Sequence, residues 1–359
     1  MRIHDKYVLG DFLRNLAIGL LAFTVIYVTV DVTDQINVYL DNHARFLDVV
    51  LHYAYRIPWI LVLIMPVSVL LATVFSLGRL SKLNELTAFI SSGTPLTRIA
   101  SPIIVSSLIV SIIVMVLGEF VIPETNRKSL HIKRVTIQGE KEDSDSRYRS
   151  NVHYQGEQGR TYYAENYDVV LKALVNPILY EYEGGKLKRR IDSKKAFWDG
   201  ARWVFIDGAV REFRAQGEKV TPFDKLPMPE LRERPEDFTK EEIDPEEMNF
   251  RQLRVYIDRL ARSGGPIDKY RVDLYFKFSF PLTNLIFAVI GAALSSAKRK
   301  PSMATGFGQT LFISFAYFGV LRIGQGLGHS GVIDPLLGAW LGNIVFIGIG
   351  GFLLYRANQ

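Results

Sequence analysis

The chain has no cysteine. That excludes a disulfide framework, a thiolate metal site and a cysteine nucleophile. A chain that needs no oxidative folding is compatible with a bacterial envelope location. Its six histidines are scattered, and no H-E-x-x-H motif occurs, so a histidine metal centre has no support. There is no G-x-x-x-x-G-K-[ST], so the chain binds no ATP through a P-loop of its own. Gly328-His329-Ser330-Gly331 fails the G-x-S-x-G spacing of a hydrolase elbow and reads as a turn. The acidic residues are many, but no pairing marks an acid–base site. No catalytic residue and no nucleic-acid partner are expected.

What the chain does have is long apolar runs. Phe12–Val30, Ile57–Leu77, Ile99–Leu117, Phe278–Ala297, Met303–Leu321 and Pro335–Tyr355 each match a hydrocarbon core in length. They fall three and three around a polar insert, Glu124–Tyr270. The first run is followed by Asp31 and Asp34 and by no small-residue cleavage site, so it reads as a retained helix.

Basic residues assign the orientation. Arg2, Lys6 and Arg14 precede the first run. Arg79, Lys82 and Arg98 lie between the second and third, Lys298, Arg299 and Lys300 follow the fourth, and Arg356 follows the sixth. The alternate loops are poorer in Lys and Arg, and the first carries Asp31, Asp34, Asp41 and Asp48. Both termini are therefore expected in the cytoplasm and the insert outside it.

The insert reads as β structure. Gly184-Gly185 between Tyr180–Glu183 and Lys186–Arg190 is a hairpin signal, and Asp199-Gly200 and Asp207-Gly208 repeat the cue. Trp203 and Phe205 alternate with Val204 and Ile206 as in a sandwich strand. An antiparallel sandwich or jelly roll is predicted over about residues 134–223, with Lys141–Arg149 as a loop. Pro222, Pro227, Pro229, Pro235 and Pro245 punctuate an acidic stretch that reads as a linker. Asn249–Arg262 then has helical spacing through Phe250, Leu253, Tyr256 or Ile257, and Leu260, closed by Gly264-Gly265-Pro266.

Two sets of residues point to function. A short amphipathic helix is predicted over about residues 79–93, with Leu80, Leu83, Leu86 and Phe89 on one face and Arg79, Lys82, Asn84 and Glu85 elsewhere. It lies on a membrane or docks in a partner's groove. The second set is basic and sits at the outer edges of the runs: Arg56, Arg127, Lys128, Lys133, Arg134, Lys269, Arg271, Lys277 and Arg322. Such residues suit an anionic ligand at the outer leaflet. The alternative is snorkelling or pairing with Glu119, Glu124, Asp268 and Asp273. Gly338-x-x-x-Gly342 and the glycines of the fifth run permit close helix contact, either as fixed packing or as a movable seam.

The order of these features resembles the LptF/LptG permease family of the lipopolysaccharide exporter. The matching residues are Leu77-Gly78-Arg79-Leu80 with Asn84-Glu85-Leu86 and Ser92-Gly93, then Glu119-x-x-x-Pro123-x-x-Asn126. In the insert they are Trp198-Asp199-Gly200-x-x-Trp203, Gly208 and Arg211-Glu212-Phe213. Met248 to Leu253 with Gly264-Gly265, then Val272-Asp273-Leu274 with Lys277 and Pro281, complete the set.

The resemblance implies an α-helical membrane protein of six transmembrane helices with a periplasmic β-jelly-roll between helices 3 and 4. Residues 1–123 would hold helices 1–3, 124–248 the jelly roll and linker, 249–270 the connecting helix and turn, and 271–359 helices 4–6. It implies a transport subunit without its own cofactor. ATP and Mg would belong to a cytoplasmic ABC ATPase dimer (LptB-like), with a second six-helix permease, LptF or LptG, beside this one. Lipopolysaccharide would pass to periplasmic jelly-roll proteins (LptC/LptA-like), and helices 1 and 5 would frame its way in. Arg79, Lys82, Asn84, Glu85 and Leu86 become candidates for ATPase coupling. Relatives can meet lipid phosphates with basic residues late in the first helix. Here Asp31 and Asp34 stand there, so Lys277 and Arg322, with Arg56, Lys269 and Arg271, are expected to supply the charge. Asp31-x-x-Asp34 and the length are closer to LptG. The competing classes are an envelope sensor, which would need a cytoplasmic output domain, and a membrane-anchored lipid- or glycan-modifying enzyme, which would need a convergent acid–base or metal cluster.

Overall fold

A computed structural model describes residues 3–139, 148–156, 160–183, 186–214, 217–238, 248–262, 267–295 and 303–357. The chain divides into a helical unit (Met1–Gly139, Glu246–Phe250, Asp268–Gln359) and a β unit (Glu140–Pro245, Arg251–Ile267). The loop expected at Lys141–Arg149 falls mostly outside the described residues, as do Gly184-Gly185, Pro245, Gly264-Gly265-Pro266 and Lys298-Arg299-Lys300.

Six helices of the helical unit are long and apolar enough to cross a membrane. They lie in α1 (Ile3–Asp34), α3 (Phe46–Lys82), α5 (Leu96–Val116), α8 (Asp268–Ser295), α9 (Met303–His329) and α10 (Pro335–Ala357). Several outrun their apolar cores. The 37 residues of α3 extend about 55 Å, well beyond a bilayer's hydrocarbon. The short α2 (Ile36–Asp41) links the first two. After α5 the chain stays helical through a π-helical turn at Leu117–Val121, α6 (Ile122–His131) and a second π-helical turn at Ile132–Ile137. The first strand among the described residues starts at Tyr148, and residues 134–137, where β structure was expected to begin, are therefore helical. The strand-favouring residues there, Val135 and Ile137, continue a helix because its preceding turns are already packed on α3.

The predicted 79–93 helix is not continuous. α3 ends at Lys82, and α4 (Glu85–Ser91) starts after Asn84, which has φ 60°. Asn tolerates this left-handed conformation better than other side chains. The break splits the predicted apolar face: Leu80 and Leu86 are buried, whereas Leu83 is exposed. Gly93, φ +86°, closes α4. Its N–H donates to the Ile90 carbonyl (2.9 Å), and that of Thr94 to Phe89 (3.1 Å), a Schellman ending that needs a residue free to adopt positive φ.

The β unit is one antiparallel sheet of seven strands, β1 (Tyr148–Gln155), β2 (Arg160–Asp168), β3 (Ala173–Val175), β4 (Ile178–Glu183), β5 (Lys186–Trp198), β6 (Trp203–Arg214) and β7 (Gly217–Met228). Strands follow one another in meander order, with β3 and β4 sharing the place between β2 and β5. Asp199-Gly200 turns β5 into β6, with the Asp199 carboxylate accepting the Ala201 and Arg202 N–H groups. Asp207-Gly208 is not a second hairpin. Both lie inside β6, where Asp207 (φ 51°) stands opposite Lys194 and the β5–β6 register is the same on either side of it. Gly208 is needed there because a Cβ would collide with the Asp192 carbonyl and the Phe223 ring.

As far as Phe238 the proline-rich stretch is structured rather than a linker; residues 239–247 lie outside the described residues. Pro222 and Pro227 lie in β7, the sheet's edge strand, where proline is tolerated as it is not in a central strand. The chain then straps back across the core. Trp203 Nε1 donates to the Glu233 carbonyl (2.8 Å) and Tyr167 Oη to that of Pro235 (3.2 Å). The strap ends on Phe238, whose ring meets Tyr154, Tyr162, Tyr167 and Trp203 at centroid distances of 5.0–5.9 Å. The helix predicted next is α7 (Phe250–Arg262), with Leu253, Ile257 and Leu260 buried as the spacing requires.

One ion network ties the first sheet half to the strap. Glu181 on β4 accepts from Arg160 (3.2 Å) and Arg189 (2.6 Å), and Arg160 also donates to the Glu230 carbonyl (3.1 Å). Burial by itself would push the Glu181 carboxyl up, but the two guanidiniums outweigh it and hold the group below the usual Glu range. A depressed carboxylate stabilises the fold above its unfolded pKa, about 4.3, and that contribution is lost as pH falls through the folded value. The β unit's thermal midpoint, followed by tryptophan fluorescence, is therefore expected to fall with acidification below about pH 4.3. Glu181→Gln is expected to lower the midpoint at neutral pH and to flatten this acid limb.

Candidate functional sites

At one end of the helical unit, α4 sits on a buried cluster formed by Leu77, Leu80, Leu86, Leu96, Ile99 and Ala100 with Val8, Phe12 and Leu16 of α1. The five coupling candidates divide here. Leu86 is buried and anchors α4. Arg79 is engaged by Asp11 across the helices (2.7 Å). Lys82 and Asn84 are exposed and Glu85 half-buried, at the break and first turn of α4. Thr87, Ala88 and Ile90 extend the exposed face. The result is a short helix with an apolar underside and a small, weakly charged outer face, a shape suited to a groove in a partner.

The basic residues lie towards the other end of the long helices, in separate groups. Lys269, Arg271 and Lys277 lie in the first three turns of α8. Lys277 is half-buried, with Glu119 and Asp273 as its charged neighbours. Asp273 also takes His329 Nε2 (3.1 Å). Lys269 stands over the Tyr270 ring (5.9 Å). Arg322, exposed on α9, donates only to the neutral Gln325 (3.2 Å). Among the described residues neither Arg322 nor Arg56 has an ion-pair partner. Arg127 and Lys128, by contrast, have Glu124 at 3.9 and 3.7 Å, so local pairing accounts for them. Glu119 fixes the return of the chain to this unit by accepting the Phe250 N–H (2.8 Å).

Arg56 belongs to a polar knot that the sequence pattern did not assemble. Tyr53 donates to Asp31 (2.6 Å), His52 Nδ1 meets Ser129 (2.9 Å), and Lys133 donates to Gln35 (3.1 Å). Lys133 feels Arg56 and Arg134 as like charges and Asp31 as an opposite one. The Arg56 guanidinium lies over Trp59 (5.2 Å) with Nε buried and unpaired. Asp31 is thus a hydrogen-bond anchor between α1 and α3. The signal in the sequence was the i, i+3 and i+4 recurrence of polar residues at His52, Tyr53 and Arg56, which a hydropathy window averages away. No described contact joins this knot to the α8 group.

Glycines close the α9–α10 contact. A Cβ on Gly324 would meet the Gly338 carbonyl at 2.6 Å, and one on Gly338 would meet the Gly328 Cα at 2.9 Å. The predicted small-residue pair Gly338 and Gly342 therefore faces α9 in close packing.

Among the described residues no group of three His, Asp or Glu side chains is placed to hold a metal ion. The family model for the lipopolysaccharide export system permease LptF/LptG matches residues 6–356, nearly the whole chain. A search of curated proteins returns no match. The chain belongs to the LptF/LptG family, which makes it a transport permease and a multi-pass inner-membrane protein.

Proposed function

We propose that this LptF/LptG family member is the membrane-spanning subunit of an ABC exporter that draws lipopolysaccharide from the outer leaflet of the inner membrane. The observation that carries this reading is α4. It is a capped seven-residue helix, seated by Leu86 and bounded by two spans, with an exposed face around Lys82, Asn84 and Glu85. Such a helix is where a separate ATP-hydrolysing subunit would push. ATP and Mg belong to that subunit, an LptB-like dimer. A second permease of the family, LptF or LptG, completes the membrane part. Lipopolysaccharide then passes to LptC/LptA-like proteins by way of the β unit. The basic-residue count puts α4 and both termini in the cytoplasm and the β unit in the periplasm.

The lipid's phosphates would be met by the cations at the end of the long helices away from α4. Lys277 and Arg322 are the primary pair, with Arg56, Lys269 and Arg271 around the rim. Cations next to apolar helix surface suit a phosphorylated amphiphile, since they offer charge to the headgroup beside hydrocarbon for the chains.

The test is purification of the tagged chain from its native membrane in mild detergent, with mass spectrometry of what accompanies it. A P-loop ATPase, a second six-span permease and lipopolysaccharide are the expected companions. A chain that comes alone, where other transporters keep their subunits, overturns the exporter reading. In the same preparation Lys277→Gln with Arg322→Gln is expected to lower the bound lipopolysaccharide several-fold. Unchanged lipid would remove these two residues from the site.

A further inference from the structure

α1 has two unlike halves. Its first turns are sunk in the cluster beneath α4, where Val8 and Phe12 are 1% and 0% exposed. Beyond Gly19 one side is open: Leu21, Val25, Ile26 and Val30 are all more than half exposed. Apolar burial alone would leave the buried half free to slide, because hydrophobic contact is not directional. Charged contacts remove that freedom.

Asp5 is itself buried and accepts two bonds from Arg98, at 2.9 and 3.2 Å. Asp11 accepts from Arg79 (2.7 Å) and from Arg14 in its own helix (2.6 Å). The His4 ring stands 5.8 Å from that of Phe89 on α4. Arg79 lies in the last turn of α3 and Arg98 in the first turn of α5. They are the two helix ends between which α4 is suspended. Both supports of α4 are thus tied to α1, one of them by a fork-shaped pair that fixes angle as well as distance.

We infer that Asp5–Arg98 and Asp11–Arg79 form a clamp that delivers displacement of α4 to α1. A push on α4 would move its two supports, and the supports would carry the start of α1 with them. α1 is suited to respond, since its open side beyond Gly19 is not held by the rest of this chain. The inference rests on α4 being the contact for the ATPase. Asp5 and Arg98 act as positioning residues and touch neither nucleotide nor lipid.

The absence of cysteine makes the test direct. Spin labels at Leu21→Cys and Ile347→Cys, both exposed positions on α1 and α10, report the distance between these helices in the full complex with and without ATP. The expected result is an ATP-dependent change in the parent that shrinks several-fold in Asp5→Asn and in Arg98→Gln, with the ATPase still copurifying in parental amount. A second variant guards against simple misfolding. Asp5→Cys with Arg98→Cys should lose ATP-dependent lipid release, and joining the two thiols with a short bis-maleimide should restore it. The clamp is overturned if α1 moves as far in the broken variants as in the parent. It is overturned equally if α1 does not respond in the parent, or if both variants shed the ATPase, which would make the pair a support of α4 alone. Absence of an ATPase from the parent preparation would instead overturn the underlying functional reading, and is seen before any variant is made.

Discussion

Phe238→Ala is expected to destabilise the β unit by about 3–5 kcal/mol. Phe238 is 3% exposed and is the only ring in contact with all of Tyr154, Tyr162, Tyr167 and Trp203 among the described residues. Truncation would remove its own burial and leave a cavity lined by aromatic edges, which are stiff and collapse poorly. It would also release the strap, whose backbone carbonyls at Glu233 and Pro235 satisfy the buried Trp203 N–H and Tyr167 hydroxyl. Those donors would then be underbonded as well. Trp59→Phe with Trp340→Phe confines the fluorescence to Trp198 and Trp203, both in the β unit. Denaturant unfolding in that background measures the loss. Phe238→Leu should lose less, because it refills most of the volume. Phe213→Ala, at a position 37% exposed in β6, should change stability by no more than about 0.5 kcal/mol. If Phe238→Ala behaved like Phe213→Ala, the strap would not be part of the core.

The strap also shows where a sequence stops being informative. Proline and acidic residues dominate residues 222–238, and composition alone reads as a linker. The missing information was partly positional. A proline is harmless in an edge strand, and whether a strand is an edge depends on pairing that only the whole sheet defines. Phe238 gave no periodic signal because the strap crosses the sheet without belonging to it. Asp207-Gly208 failed for a related reason: Asp can take a positive φ inside a strand as well as in a turn, so the pair alone does not mark a hairpin. The six spans, by contrast, were legible because apolar length is a local property and the bilayer's thickness is fixed. α7 was legible because its buried residues recur at helical spacing.

The functional sites divide along the same line. Residues 79–93 could be recognised as a short amphipathic segment, but the break at Asn84 could not. Its consequence is that Leu86 and Leu83 part company, one anchoring α4 and the other exposed. The Asp5–Arg98 and Asp11–Arg79 pairs join residues 93 and 68 positions apart, so no local pattern could have announced them. The basic residues at the helix ends away from α4 were countable from sequence. Which of them keep a carboxylate partner was not: Arg127 and Lys128 have Glu124, while Arg56 and Arg322 have none among the described residues.

Gly338→Leu is expected to be the most damaging single change in the helical unit. At Gly338 a Cβ would meet the Gly324 carbonyl and the Gly328 Cα, both at 2.9 Å. These are backbone atoms, so no rotamer change can make room and the helices themselves must separate. Overpacking of this kind costs about 1–3 kcal/mol where side chains can adjust, and here the upper end of that range is expected. Separation would also strain the neighbouring polar link, in which Tyr317 of α9 donates to Asn343 of α10 (2.8 Å) and Asn343 to the Ser279 carbonyl of α8 (2.6 Å). In an apolar setting these groups have few substitute partners. Gly348→Leu is the matched control, since nothing lies within 4 Å of a Cβ at that position on the same helix, and it should shift the thermal aggregation midpoint of the detergent-solubilised protein little. The comparison also bears on movement. A seam in which backbone meets backbone resists sliding, because each step along it would bring a side chain against a carbonyl. α9 and α10 are therefore expected to move as one body in any transport cycle, and α1, tied to α3 through Asp11 and Asp31 but open on one side beyond Gly19, is left as the helix to shift with the supports of α4. A Gly338→Leu variant with the stability and transport of the parent would show that the seam is loose and would return α9 to the set of movable helices.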